Sequence, residues 1–567
     1  MQEPTDTERP PLTSAAALTT ALGAAALLSA CGGGGAEPAS PGPTPAPTPA
    51  PAPVPVPVPS PPPPATDAEA ARFLAQAGFA ATGAEIARVK ATGYAAWLDD
   101  QFAAPRTLSH YDWMVAKGYA TVDHRNDFAG VDNTLWRKFI SSPDVLRQRV
   151  VLALSEIFVV SMNGLPISWR GLAVASYVDM LEARAFGSFR ALIEGVTLSV
   201  GMGSYLNLRG NLKEDAASGR LPDENYAREL MQLFTIGLYE LNLDGSPRLV
   251  AGKPIETYSQ AQISELARVF TGWDADGASP TDPAFVQWPM THKPARFSSG
   301  AKRVLQVDIP ATADGPTAMK IALDTLAGHA NVGPFIGRQL IQRLVCSNPS
   351  PAYVQRVAQA FNNNGQGQRG DMKAVIKAIL LDSEARTVGS GLDSGKLREP
   401  VLRFIQWARS FGLKSPTELW NIGDLSNSAT RLGQSPLRSP TAFNFFRPGY
   451  LPPNSTLGSQ AVTAPEFQLC NESTVAAYLN FMQSVLPAGL GELKPDYSAE
   501  LPLATDAPAL VNRHALLLAA DGLSTVTRQS ISNAVGSIKA DTETGRLNRV
   551  LASILLVMAS PEYLVQK

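Results

Sequence analysis

Three polar residues on one predicted helix have the types and spacing to bind an anion or move a proton. Asn225, Arg228 and Glu229 stand close together in a segment that begins at Asp223. At about 100° per residue, Asn225 and Arg228 share one face and Glu229 flanks them. The guanidinium could bind an anionic group bidentately, and the carboxyl could act as a general acid or base. A polar network that merely joins helices explains the same pattern, so both interpretations stay open.

The same helix is predicted to have an apolar face opposite the polar one. Its packed side comprises Tyr226, Ala227, Leu230, Leu233, Phe234 and Gly237. Gln232 is expected to join Asn225 and Arg228 on the polar side, with Thr235 beside them. This division assumes that α-helical periodicity continues through the whole segment.

His292 is a further candidate base, in the polar segment Met290–Arg296. An imidazole changes charge near neutral pH and can therefore move protons, although a histidine on a surface loop is the default explanation of this position. The five histidines show no HExxH spacing, and no Walker, GxSxG or GxGxxG motif is present, so no metal site is predicted and the cofactor stays unknown. The Asp274–Asp282 stretch has a calcium-like composition, but its glycine comes too early for an EF-hand, which favours a solvated turn.

Helix signals dominate the sequence around these candidates. Capping boxes begin predicted helices at Thr66, Thr82 and Ser259, and Ser142-Pro143 is expected to open a helix over Asp144–Val160. Further helices are predicted over 317–329, 334–345, 352–362, 372–381, 399–411, 472–486 and 545–558. Strand signals are few, the clearest being a hairpin of Leu238–Leu243 and Ser246–Val250 around Asp244-Gly245. The predicted fold is mainly α, a large multi-helix globular domain with a small β-hairpin.

The N-terminus resembles that of a bacterial lipoprotein. An uncharged, Ala- and Leu-rich stretch ends in Leu28-Ser-Ala-Cys31, followed by glycines, which is similar to a lipobox. The resemblance implies that residues 1–31 are a signal peptide cut before Cys31, and that Cys31 carries the lipid. Gly32, rather than Asp, favours the outer membrane by the sorting rule of that class. The charged residues before the apolar stretch are three acids and one arginine, whereas signal peptides normally begin with positive charge. A plain signal peptide or a weak membrane anchor stays an alternative.

A Gly/Pro/Ala-rich segment, residues 32–65, follows the lipobox. Its alternating prolines favour extended polyproline II and offer no core to bury. At about 3.1 Å per residue, the proline-rich part could reach roughly 80–90 Å. We therefore expect a disordered stalk that holds a folded domain, residues 66–567, away from a membrane.

Composition excludes some partners and leaves the cysteines open. The chain has 567 residues, 45% of them hydrophobic, and a formal net charge of -2. No basic block stands out, so nucleic acid is not an expected partner. Cys346 and Cys470 could pair in an oxidising compartment or remain two buried free thiols.

Several long motifs in the folded part resemble one bacterial family, catalogued as domain of unknown function 1800. They are 147–154, 222–238, 257–263 with 270–273, 396–400, 443–449 and 464–474. The resemblance covers essentially all of 66–567. It implies an exported helical protein, often encoded beside a second family of unknown function, DUF1501, whose exported member is therefore an expected partner. It implies no catalytic role for any residue.

These observations support two functional hypotheses. The first is a binding or assembly role, in which the domain on its stalk holds another exported protein or an envelope polymer. The alternative is an envelope hydrolase or transferase that acts on an anionic or polyhydroxylated substrate. In that case Asn225, Arg228, Glu229 and His292 would form the site. The anchor, the stalk, the low charge and the missing catalytic motifs place the binding role slightly ahead.

Overall fold

Helices account for 52% of the chain in the computed structural model, which describes residues 61–567. The described strands form four antiparallel sheets of two strands each. The prediction of a mainly α fold with small β-hairpins is therefore confirmed. The predicted signal peptide with Cys31, and residues 32–60 of the predicted stalk, lie outside the described residues.

The helices of the described part are α1 (Asp67–Ala77), α2 (Gly83–Thr92), α3 (Tyr94–Ala103), α4 (His110–Ala116), α5 (Val131–Ser141), α6 (Val145–Ser155), α7 (Arg170–Arg184), α8 (Phe189–Leu198), α9 (Val200–Tyr205), α10 (Asn225–Glu229), α11 (Gln260–Val269), α12 (Gly315–Gly328), α13 (Val332–Leu344), α14 (Pro351–Asn362), α15 (Met372–Leu381), α16 (Ser383–Arg386), α17 (Pro400–Ser410), α18 (Thr456–Ser459), α19 (Glu472–Ala488), α20 (Ala507–Ala519), α21 (Thr525–Gly536), α22 (Glu543–Ala559) and α23 (Pro561–Leu564). The strands are β1 (Leu249–Val250), β2 (Lys253–Pro254), β3 (Trp273–Asp274), β4 (Thr291–His292), β5 (Lys302–Val304), β6 (Val307–Ile309), β7 (Lys396–Leu397) and β8 (Val565–Gln566).

Side-chain caps fix most of the helix starts that the sequence predicted. Thr66 and Ser259 form complete capping boxes at α1 and α11. The Thr82 hydroxyl accepts the Glu85 N–H at the start of α2. Each cap satisfies backbone N–H groups that have no partner inside the helix, so these boundaries depend on local chemistry.

One predicted helix has a wrong start signal and a wrong end. Ser142 ends α5 rather than opening the next helix, and α6 begins at Val145 after the N-cap Asp144. This helix also ends at Ser155, before the predicted end at Val160. The Tyr177 hydroxyl donates a hydrogen bond to the Phe158 carbonyl. This bond holds the backbone just beyond the end of the helix. Glu156 follows the last helical residue and is buried.

The predicted hairpin is present in altered form. Across the Asp244-Gly245 turn, the Arg248 N–H donates to the Glu240 carbonyl at 2.7 Å. The regular ladder forms one turn later, however, where β1 pairs with β2 and Val250 faces Lys253. The Asp-Gly signal therefore identified a real reversal of the chain, but the regular strand pairs form between other residues than those predicted.

The core is built around α7, which packs against α4, α5, α6, α8 and α9. Large aromatic side chains fill it, among them the fully buried Trp97, Trp136, Trp169 and Trp407. All described residues belong to one compact unit. Cys346 and Cys470 are both free thiols. None of the helices within residues 61–567 has the length and apolar character needed to cross a membrane.

Candidate functional site

A cleft of about 360 Å³ opens between the end of α6, the segment after α10, one side of α13 and the loop 442–449. Its lining is mainly apolar and adds three guanidinium groups, those of Arg338, Arg343 and Arg447. Glu156 is the one carboxyl residue in the lining. A concave, mostly apolar surface with a few charged groups is the usual form of a ligand or partner site. We call this surface the binding cleft.

A π-helix shapes one wall of the binding cleft. The chain is α-helical over Asn225–Glu229 and then π-helical over Leu230–Thr235. The Ile236 N–H accordingly reaches back to the Met231 carbonyl at 3.0 Å. Such wider turns are frequent at functional sites because they shift the side chains that follow.

This change of pitch overturns the predicted polar face beyond Glu229. Gln232, expected beside Asn225 and Arg228, instead lines the binding cleft together with Leu233. Thr235, also expected on the polar side, is fully buried and donates its hydroxyl hydrogen to the Leu230 carbonyl at 2.6 Å. The prediction failed because it extended α-helical periodicity across a π-helix.

Beneath the cleft lies a buried charge cluster of six residues: Arg149, Glu156, Arg343, Lys396, Glu399 and Glu466. They come from α6 and its C-terminal end, α13, β7, the N-cap of α17 and the segment before α19. The Arg149 guanidinium donates to the Arg343 carbonyl at 2.6 Å. The pairing of β7 with β8, in which Lys396 faces Gln566, fixes the backbone that carries Lys396.

Lys396 is the cation at the centre of the buried charge cluster. Its ammonium lies 3.1 Å from Glu466 Oε1 and 3.4 Å from Glu399 Oε1, and donates to the Arg343 carbonyl at 2.9 Å. Gln434 donates to the second oxygen of Glu399 at 2.8 Å. A charge buried to this degree persists only when opposite charges and hydrogen bonds compensate it.

The pKa values of the neighbouring carboxyls Glu156 and Glu399 are shifted in opposite directions. Burial and the nearby Glu399 charge raise the pKa of Glu156 well above its usual value. Burial also opposes ionisation of Glu399, but Lys396 and the hydrogen bond from Glu156 outweigh it and lower the pKa of Glu399. A like charge nearby disfavours ionisation. The two shifts therefore favour the protonated form of Glu156 at the binding cleft and the ionised form of Glu399 behind it.

The structure places the sequence-predicted residue Arg228 in a joint between helices. Its guanidinium pairs with Glu224 at 2.9 Å and donates to the Gln260 side chain at the start of α11. Glu224 also accepts hydrogen bonds from Gln260 and Ser264. Arg228 thus has the local partners expected of a residue that connects α10 to α11.

Glu229 occupies a different environment from Arg228. Its side chain is buried, and within residues 61–567 its Oε2 atom has no hydrogen-bond partner. Burial raises the pKa of Glu229, while Arg228 opposes the rise. Burial, aided by the Glu229 charge, raises the pKa of both Tyr205 and Tyr258 to about 12. Asn225 is half-buried and donates its backbone N–H to the Asp223 carboxylate at 2.8 Å.

His292 belongs to a separate part of the molecule. It pairs with Trp273 between β4 and β3, and its ring packs edge-on against Phe297 with 5.0 Å between ring centroids. A Cβ added at Gly315 would lie 2.1 Å from its Nε2 atom. Burial lowers the pKa of His292, although nearby Asp314 opposes the fall. None of these neighbours surrounds Glu229, so the structure does not join His292 to the predicted polar helix.

A second buried polar cluster escaped sequence reasoning. His110, Asp179 and Glu182 bring potential metal-ligand atoms within 4.8 Å of one another. The Lys138 ammonium, however, lies 2.5 Å from Glu182 Oε2. Asp179 accepts the backbone N–H groups of His110 and Tyr111 at the start of α4. The Lys138 ammonium supplies the positive charge that a metal ion would otherwise bring to these carboxyls. The residues therefore form a polar network between helices and do not fit a metal site.

The binding cleft was also missed, although parts of it lie in recognised motifs. The stretches 396–400 and 443–449 were noted only as marks of a family resemblance. The (i, i+3) spacing of Lys396 and Glu399 was the available signal for a charge pair. Nothing local connected either stretch to Glu156 or Arg338, which lie far away in the sequence.

Comparison with known proteins gives one assignment. The model of the family described as "Protein of unknown function (DUF1800)" matches residues 72–565. No curated protein and no solved structure matches the chain. The matched region contains the binding cleft and the buried charge cluster in full. The chain belongs to the DUF1800 family.

Proposed function

We propose that this chain is an exported, lipid-anchored protein of the bacterial envelope that acts by binding another exported protein in the binding cleft. The observation that carries the proposal is the cleft itself. Its rim exposes Leu238 and Phe443, whose relative exposures are 49% and 37%. Exposed apolar side chains around a concave apolar surface are typical of a site that a partner covers.

The chemistry of the lining favours binding over turnover. None of the residues that line the binding cleft is Ser, Thr, Cys, His or Lys. The carboxyl of Glu156 is engaged with Glu399 and lies 3.6 Å from the Arg343 guanidinium. The cleft therefore offers contact surface and positive charge, but no activated nucleophile with its base.

The proposed location rests on the N-terminal sequence. Cys31 would carry the lipid, and residues 32–65 would form the stalk, at the outer membrane facing the periplasm or the cell surface. We expect Cys31→Ala in the full chain to abolish incorporation of radiolabelled palmitate and to move the protein out of the membrane fraction. Equal labelling and fractionation of variant and wild type would contradict a lipid anchor at this residue.

An exported protein of the DUF1501 family, which the family resemblance implies, is the proposed partner, and its affinity for the purified full chain tests the cleft. Leu238→Glu places a charge on the apolar rim and is expected to weaken binding by about tenfold or more, which is about 1.4 kcal/mol. Val526→Glu is the matched control, since Val526 is 76% exposed and lies outside the cleft lining. Equal affinities of the two variants would contradict the proposed site.

An envelope hydrolase or transferase centred on Glu229, with Arg228 and Asn225, is the second candidate. The specific observation in its favour is the buried Glu229 carboxyl with its raised pKa and unpartnered oxygen, because such groups cluster at catalytic sites. The pairing of Arg228 with Glu224 weighs against it. Glu229→Gln should abolish turnover of an envelope substrate at unchanged melting temperature, and a variant that only melts earlier would rule this candidate out.

A further inference from the structure

We propose that the binding cleft receives a short apolar peptide segment with a carboxylate at its end, and that Arg338 binds this carboxylate. The inference rests on the proposed binding function and specifies the chemistry of the bound group. Four features of the cleft lead to it: an unpaired guanidinium, a net positive lining, an apolar wall, and a pair of unsatisfied amide atoms.

Arg338 is a half-buried cation without an anion. It lies on α13 and lines the binding cleft. Burial lowers the pKa of Arg338, and within the described residues no carboxylate lies close enough to raise it. A guanidinium in such a position loses hydration without compensation. A bound carboxylate would supply the missing charge through bidentate hydrogen bonds.

The other charged groups of the lining strengthen this preference. Arg447 is exposed and stacks over the Phe443 ring, with its guanidinium 5.1 Å from the ring centroid. Arg343 uses two of its nitrogens on the backbone carbonyls of Gln339 and Glu156. Glu156 is the one acid of the lining, and its raised pKa favours the protonated, neutral form. The cleft therefore presents positive charge without a compensating carboxylate.

Two glutamines distinguish a peptide from a simple fatty acid. In the part of the chain that the structure describes, Gln339 Nε2 and Gln342 Oε1 are buried and have no hydrogen-bond partner. Both residues line the cleft. One atom is a donor and the other an acceptor, so together they match the C=O and N–H of a peptide backbone. An alkyl chain would leave both atoms unsatisfied, at a cost in free energy.

The apolar wall fits the side chains of the same segment. Leu233, Leu241 and Phe335 line the cleft beside these amides. Phe335 is held close to the π-helix because Gly237 leaves room for its ring, and an added Cβ at Gly237 would lie 2.7 Å from it. The volume of about 360 Å³ lies at the lower end of the range for ligand pockets. It therefore suits a short segment.

The test uses the full chain and a pool of short acetylated peptides whose last positions are randomised among Ala, Val, Leu and Phe. The pool is offered once with free C-terminal carboxylates and once amidated, and bound peptides are counted by mass spectrometry. We expect the free acids to bind about tenfold or more tightly than the amides. Arg338→Gln should remove this preference, whereas Arg303→Gln, an exposed arginine outside the cleft lining, should preserve it.

The melting temperature of the Arg338→Gln variant gives a second readout. Because the guanidinium is desolvated and unpaired, its removal should leave the melting temperature unchanged or raise it, whereas a structural arginine would lower it when removed. Failure of both pools to bind, equal binding of acids and amides, or displacement of the peptides by laurate at equal concentration would each overturn the inference. If the exported partner still binds and depends on Leu238 but not on Arg338, the inference fails while the proposed function stands.

Discussion

Lys396→Met should destabilise the protein by about 3–5 kcal/mol at pH 7, the range observed when one partner of a buried ion pair is removed. The Lys396 ammonium is fully buried between the carboxyls of Glu399 and Glu466. Its removal leaves the buried Glu399 carboxylate without the cation that lies 3.4 Å away. The loss is expected as a lower midpoint in guanidinium denaturation.

A surface lysine provides the matched control for this experiment. Lys320 also pairs with an acid, Asp324 at 2.6 Å, but its side chain is 72% exposed. Lys320→Met is expected to change the stability by about 0.5 kcal/mol or less. The double variant Lys396→Met/Glu399→Gln should recover part of the loss, because a neutral pair replaces an uncompensated charge. Similar midpoints for Lys396→Met and Lys320→Met would show that the buried charge cluster does not stabilise the fold.

Glu156→Gln should stabilise the protein increasingly as the pH rises. The folded-state pKa of Glu156 is raised above the usual value of 4.5, so the folded state binds more protons than the unfolded state between these two values. The contribution of Glu156 is thus fully present below about pH 4.5 and is lost as the pH rises through its folded pKa. Wild-type stability should fall by up to about 1.4 kcal/mol per pH unit in this window. The amide imitates the neutral acid, so the variant should lack this slope.

Glu399→Gln is the opposite control because the folded-state pKa of Glu399 is lowered. The stabilisation that ionised Glu399 gives the fold is present above the usual carboxyl pKa. It is lost as the pH falls through the pKa of Glu399 in the folded state. This variant should therefore be several kcal/mol less stable at neutral pH, at about 3–5 kcal/mol, and close to wild type in acid. Denaturation midpoints from about pH 2 to pH 9 measure both profiles, because the Glu399 window lies below its usual pKa of 4.5. Parallel profiles for the two variants would contradict the opposite pKa shifts of Glu156 and Glu399.

Sequence reasoning succeeded where local chemistry decides the structure. The Thr66 and Ser259 boxes begin α1 and α11 as predicted, since a capping side chain and the N–H it accepts are three residues apart. The mainly α fold followed from the same signals. The predicted end of α6 at Val160 was wrong, because the helix stops at Ser155 while the apolar run continues, and an apolar run alone does not mark where a helix ends.

The site was harder to predict because its parts are distant in sequence. The buried charge cluster draws on positions from Arg149 to Glu466, and no spacing rule connects them. The polar helix was placed correctly as far as Glu229, and a π-helix then moved Gln232 to the binding cleft. The choice between α and π pitch depends on tertiary contacts, which a periodicity plot does not contain.

The most direct measurement of the central claim is photo-crosslinking in intact cells that produce the full chain and the proposed partner, an exported DUF1501-family protein. A photoreactive phenylalanine would replace Leu238 on the rim of the binding cleft in one variant and the exposed Val526 in a control. If the cleft binds the exported partner, the partner should crosslink at position 238 and not at position 526. Crosslinking at 526 alone, at both positions equally, or at neither would contradict the account.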